Sequence, residues 1–219
     1  MLYKNIHVNN NLFLNLSHQD LILNITNHTK PSIPKKKTYV KQDDFLFWSF
    51  FILMKGEQHF EYIKTQKFIT SQEFKINASL KIKSTKFNNR KLVKSKILNN
   101  LCHDPNIHLM TLASLCVLYD KNILYCVNNK KYYELYQEDK ENINIVINDK
   151  GNIEIIKNAS KEEIDKYTEH LIKMETYDEK LKSISSYKLI DLQNIASCIN
   201  VETKNKSKQK LYDEIQDLL

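Results

Sequence analysis

LMTLASLCVLYDKNILYCVNNKKYYELYQEDKENINIVINDKGNIEII, residues 109 to 156, changes its hydrophobic period partway along. Leu109 to Tyr119 is an apolar run of helix length, and Asp120-Lys121-Asn122 turns it directly into ILYCV. Asn128-Asn129 suits a tight hairpin into YYELY at 132–136, because asparagine tolerates positive φ. Ile143, Ile145 and Ile147 then alternate with other residues, and Asn148-Asp149-Lys150-Gly151 forms a turn with glycine where a positive φ is needed. Ile153 to Ile156 returns as a fourth strand. A buried helix followed by four short strands predicts an α+β fold, with helices packed on a small antiparallel β-meander and a small all-α module behind it.

Upstream, FLFWSFFILM (Phe45 to Met54) reads as a fully buried helix, with Asp43-Asp44 at its positive end and Gly56 as its C-cap. Thr70-Ser71-Gln72-Glu73 matches a capping box and predicts the start of a further helix. Phe74, Ile76, Ala78, Leu80 and Ile82 alternate as in a strand. The stretch lacks turn residues, however, and runs into Leu92, Val93, Ile97, Leu98 and Leu101 at helical spacing, so it is read as helical up to Asp104-Pro105. Downstream, Ser160-Lys161-Glu162-Glu163 is a second capping box, opening a helix with Ile164, Tyr167, Leu171 and Met174 on one stripe. At the other end, residues 1–42 are polar and asparagine-rich, and KPSIPKKK (Lys30 to Lys37) is a linker that fits neither a helix nor a central strand. The expected division is residues 1–42 as N-terminal segment and linker, 43–177 as α+β core, and 178–219 as helical module.

The 219 residues, 42% of them apolar, suffice for a real core. With only Gly56 and Gly151 as glycines, every phosphate loop built from clustered glycines is excluded, and no cofactor is implied. Arg90 is the single arginine beside 32 lysines, and 24 asparagines and 25 isoleucines stand against four alanines. Such a skew resembles the product of an AT-rich coding genome. The formal charge is +7, and it is concentrated: between Glu61 and Asn100 ten basic residues face two acidic ones. A concentrated basic surface suits an acidic partner such as nucleic acid. Cys102, Cys116, Cys126 and Cys198 lie far apart with no C-x-x-C pair, which argues against a structural metal site and for a reducing, intracellular setting. His103 and His108 flank Asp104-Pro105, but the proline sets them on different faces, so no metal ligand set is assigned there. No secretory signal or membrane span is expected, since the longest apolar run is Phe45 to Met54.

From Leu181 the chain reads LKSISSYKLIDLQNIASCINVETKNKSKQKLYDEIQDLL. Ser185 or Ser186 can cap a helix with Leu189, Leu192, Ile195 and Ala196 on one face, and Ser207 can cap a second bearing Leu211, Ile215 and Leu218. The L-x-x-L-x-x-I-A helix, a short loop, a lysine-rich entry and an L-Y-x-x-I helix resemble the SAP motif and the small N-terminal domain of terminator Rho. Asn205 stands where SAP loops carry glycine. The resemblance implies that Lys204, Lys206, Lys208 and Lys210 meet phosphates, with Lys188 beside them. Lys81, Lys83, Arg90, Lys91 and Lys94 form a second basic group, on a helical segment at 75–96.

The order of residues 43–156 is similar to papain-like proteases of the ovarian-tumour deubiquitinase type, and the pairing of such a core with a SAP-like tail resembles uncharacterised proteins of nucleocytoplasmic large DNA viruses. That resemblance puts the nucleophile at or near Ser49, where this chain has serine for cysteine. No histidine lies in 123–156 to activate it, so no catalytic residue is assigned and the core reads as degenerate. The expectation is a non-enzymatic, nucleic-acid-associated viral protein that binds DNA through phosphates. It would also have viral or host protein partners, and reside in host cytoplasm, viral factory or virion. The alternatives are a deubiquitinase-like enzyme using Cys102 or Cys116 with His103 or His108, and a virion interaction protein.

Overall fold

In the computed structural model, residues 38–40, 43–136, 141–177 and 181–219 are described. The expectations for residues 1–37, including the Lys30–Lys37 linker, lie outside these residues, as does the boundary at 178. Eight helices and a six-stranded sheet occur among the described residues, an α+β architecture with a helical C-terminal region.

The sheet runs β1 (Thr38–Val40), β5 (Asn152–Ile156), β4 (Ile143–Asp149), β2 (Asn122–Val127), β3 (Lys131–Leu135), β6 (Ile172–Lys173). It is mixed, which corrects the expected antiparallel meander. β2–β3 and β4–β5 are antiparallel hairpins, but β4 lies parallel to β2, with Asn122 opposite Ile143, and β6 lies parallel to β3. The apolar content of each strand accounts for the order. Leu124, Tyr125 and Cys126 of β2 and Ile145, Val146 and Ile147 of β4 are consecutive buried residues, as strands covered on both faces require. β3 and most of β5 alternate buried with half-buried or exposed residues and flank this pair. Both hairpin turns carry two left-handed residues, Asn128 (φ 50°) and Asn129 (φ 52°) in one, Lys150 (φ 50°) and Gly151 (φ 85°) in the other.

One sheet face, with Ile123, Tyr125, Tyr133, Leu135, Val146 and Ile155, joins the main core. That core includes α1 (Phe45–Lys55), whose Phe47 and Phe50 are wholly buried, and α5 (Leu109–Leu118), in which Leu109 and every residue from Thr111 to Cys116 are buried. The opposite face, with Leu124, Cys126, Ile145, Ile147 and Ile156, packs on Ile164 and Tyr167 of α6 (Lys161–Thr168). Gly56 closes α1 through its N–H to the Ile52 carbonyl and leads into α2 (Glu57–Tyr62). At the start of α6, Ser160 and Glu163 form the reciprocal capping box. Leu171 and Met174 are not on the α6 stripe, because the helix ends at Thr168 and the chain enters β6.

The middle of the chain corrects two further expectations. α3 (Lys67–Ser84) begins three residues before Thr70, so Thr70 to Glu73 lies within the helix and caps nothing. Its buried stripe is Lys75, Ala78, Ser79 and Ile82, while Ile76 and Leu80 of the alternating set face solvent. A non-helical stretch, residues 85–93, then separates α3 from α4 (Lys94–His103), so the basic segment 75–96 spans two helices and a loop.

Candidate nucleic-acid interface

The C-terminal region is a helical hairpin. α7 (Leu189–Cys198) and α8 (Lys208–Leu218) pack on each other through Leu192, Ala196, Leu211 and Ile215, all wholly buried. Ser185 and Ser186 lie in a separate 3₁₀ turn rather than capping α7, whose cap is Lys188 with its N–H donated to Asp191 Oδ2 at 2.7 Å. Ser207 caps α8, its Oγ accepting from the Lys210 N–H. Asn205, in the loop between the two helices, adopts φ 56°, the left-handed conformation that glycine takes most readily.

The loop and cap set the lysines around the amino end of α8. Lys204 and Lys210 are exposed and Lys208 is half-buried. Lys206 differs: its Nζ pairs with Glu214 Oε2 and is largely covered, so its charge is already neutralised. Lys188 is exposed at the start of α7. The first turn of α8 contains no acidic residue and its last turn no basic one, while Asp213, Glu214 and Asp217 lie toward its carboxyl end. This is the reverse of what the helix dipole favours, each misplaced charge costing about 0.3–1 kcal/mol. α4 likewise carries Lys94 and Lys96 in its first turn with no acidic residue there.

The second basic group lies on α3, the 85–93 loop and α4. Lys81 Nζ stands 4.8 Å from the centre of the Tyr119 ring. Lys94 Nζ donates to the Lys83 carbonyl at 3.2 Å, and Lys91 Nζ to the Glu175 carbonyl. None of Lys81, Lys83, Lys86, Arg90, Lys91, Lys94 and Lys96 is in an ion pair among the described residues, although the charge of Lys91 also reaches the Glu175 carboxyl. The loop bearing Arg90 and Lys91 is tied to the entry of the hairpin, since Asn89 Nδ2 also donates to the Tyr177 hydroxyl at 3.2 Å. Lys182 pairs with Glu175, and Tyr212 of α8 donates its hydroxyl to the Lys182 carbonyl at 2.9 Å. The two basic groups are thus joined through the Glu175–Lys182 pair.

Lys75, counted with the basic segment, has another task. It is 4% exposed, its Nζ lies 2.7 Å from Asp44 Oδ2, and it donates to the Pro105 carbonyl at 2.9 Å. Asp44 also accepts from the Ile107 N–H at 2.8 Å, so it anchors the α4–α5 loop; it adopts φ 39° and makes no side-chain cap. Asp44 is thus both the N-cap residue of α1 and the buried partner of Lys75. Asn100 completes the clamp, donating to Asp104 and the Asn106 carbonyl and accepting from the His108 N–H and the Thr111 hydroxyl.

Ser49 is 1% exposed, and its hydroxyl makes no hydrogen bond among the described residues, not even back to its own helix. His108 Nε2 is 3.7 Å from Asp104 Oδ2, and no metal-holding group of three His, Cys, Asp or Glu side chains occurs among the described residues. Cys102 and Cys198 are exposed. Burial pushes the thiols of Cys116 and Cys126 up, the latter to about 12, and keeps both protonated. No helix among the described residues is long and apolar enough to cross a membrane. No protein-family model matches the sequence, and comparison with curated proteins and with solved structures also finds no match.

Proposed function

We propose that this chain binds nucleic acid, DNA in particular, by placing lysines against phosphates. The observation that carries the reading is the belt Lys81 to Lys96, seven cations of which none is in an ion pair among the described residues. The acidic residues that a purely structural surface would interleave there are elsewhere. The left-handed Asn205 and the Ser207 cap support a SAP-like use of the hairpin, in which Lys204, Lys208 and Lys210 add their charge to the positive end of α8. Lysines act as point charges and do not fork onto base edges, so the reading is of phosphates rather than of sequence.

The belt is tested by changing Lys81, Lys83, Arg90 and Lys94 together to Gln and measuring duplex DNA binding by fluorescence anisotropy at low salt. Lys81, Lys83 and Arg90 are exposed and Lys94 half-buried, and none of the four is in an ion pair among the described residues, so melting should be largely preserved while affinity falls more than tenfold. Undiminished affinity in a folded variant would remove the belt from the interface.

A further inference from the structure

Large apolar side chains left outside a folded chain are usually scattered singly. Here they are gathered. Among the described residues ten are exposed, and five of them, Tyr62, Phe68, Ile69, Ile76 and Leu80, lie on α3 or at the end of α2. The inner stripe of α3, with Ala78 and Ile82, already holds the helix to the core, so these outer residues are not needed for that contact.

The outer residues are also in register with one another. Ile69, Glu73, Ile76, Leu80 and Lys83 follow at steps of four, three, four and three, the heptad spacing of a helix face that meets another helix. All five are exposed, Ile69, Ile76 and Leu80 by 59%, 58% and 57%. Neither Glu73 nor Lys83 is in an ion pair among the described residues.

The two charges in this seam select the partner. Glu73 stands five residues before Ala78 and Lys83 five after it, while Ile76 and Leu80 stand two before and two after. The seam is therefore complementary to its own reverse. A second copy of α3 laid antiparallel, with the twofold axis level with Ala78, brings Glu73 beside the partner's Lys83 and Ile76 beside the partner's Leu80, each contact occurring twice. Laid parallel in register, the same helices would set Glu73 against the partner's Glu73 and Lys83 against the partner's Lys83.

We infer that α3 is the interface of a reversible homodimer, in which two copies of the chain pair antiparallel through the seam from Ile69 to Lys83. The apolar pairs supply the attraction, and the Glu73 to Lys83 pairs fix direction and register. The helices overlap only over residues 72–84, so association is weak and depends on concentration. Lys83 then serves the seam and leaves the belt to its other six cations. The pairing needs no nucleic acid and does not rest on the reading above.

Sedimentation velocity of the full chain, without nucleic acid and over a concentration series into the high micromolar range, tests the seam. The parent mass should rise from 26.0 kDa toward twice that value. Glu73→Lys and Lys83→Glu each set like charges across the seam and should weaken the dimer about tenfold or more. An equal mixture of these two single variants restores both opposite-charge contacts, as does the double variant, and both should dimerise within about threefold of the parent. Ile76→Asp should abolish association. All three positions are exposed, so melting should be preserved in every variant. A parent that stays monomeric at every concentration, single variants as dimeric as the parent, a mixture no more dimeric than its components, or association untouched by Ile76→Asp would overturn the seam. Each of these outcomes is read without DNA, so none bears on the nucleic-acid reading.

Discussion

Lys75 and Asp44 show how much one buried pair fixes. They lie 31 residues apart in sequence and meet at 2.7 Å in the core, where together they hold the loop from Asp104 to His108. Replacing only the lysine leaves a carboxylate buried without its counter-charge, which costs about 3–5 kcal/mol. Lys75→Met should therefore lower the melting temperature by roughly 10 °C in a domain of this size. Adding Asp44→Asn should recover part of the loss, because the amide oxygen can still accept from Ile107. Calorimetry of the single and double variants decides it, and a double variant no more stable than the single would deny the pair its role.

The buried thiols make a pH prediction at the same scale. Cys126 and Cys116 both titrate above their ordinary range because burial disfavours the thiolate. In the unfolded chain they lose protons near pH 8.5–9, while the folded chain keeps them. The folded state thus binds more protons above that pH, and stability falls as pH rises from about 9 toward 12, by about 1.4 kcal/mol per pH unit for each thiol. Cys126→Ala should show a shallower decline in melting temperature between pH 8.5 and 10.5 than the parent. Parallel declines would contradict the assignment.

At the scale of elements, Asn205 is the most informative single position. Its φ of 56° is one that L side chains adopt at a cost, and asparagine tolerates it better than alanine. Asn205→Gly should keep or slightly raise the stability of the α7–α8 hairpin, whereas Asn205→Ala should lower it by about 1 kcal/mol. Urea unfolding followed by circular dichroism measures the difference, and equal stabilities would mean that the loop relaxes to another conformation.

The elements differ in how far residue patterns reveal them. Both hairpins are legible, since Asn128-Asn129 and Lys150-Gly151 are turn chemistry between apolar runs. The pairing of β4 with β2 is only hinted at, by the unbroken buried runs in both strands, because strand order depends on connections that local periodicity does not encode. Two capping-box patterns had opposite outcomes. Ser160 to Glu163 starts a helix, while Thr70 to Glu73 lies inside one, where the same spacing is simply one helical turn. The lysine clusters of the candidate site are visible as composition. Whether each lysine is spoken for is not: Lys206 with Glu214 and Lys75 with Asp44 are paired by folding, and only the folded chain separates them from their unpaired neighbours.

For the whole molecule, the net charge of +7 matters less than where it is left unneutralised. The belt on α3, the 85–93 loop and α4, joined through the Glu175–Lys182 pair to α8, makes an electrostatic partner the central claim. Counterion release gives that claim a direct readout, about 0.9 log units of affinity per log unit of salt for each phosphate neutralised on duplex DNA. The deciding measurement is a salt titration of duplex binding for the parent chain and for a variant with Lys204, Lys208 and Lys210 changed to Gln, on two unrelated sequences. If about six phosphates are contacted, the parent slope should be near −5, the same on both duplexes, and the variant flatter by about 2.7. A parent slope shallower than about −1, identical slopes for the two proteins, or a strong preference for one duplex would contradict phosphate binding by these lysines.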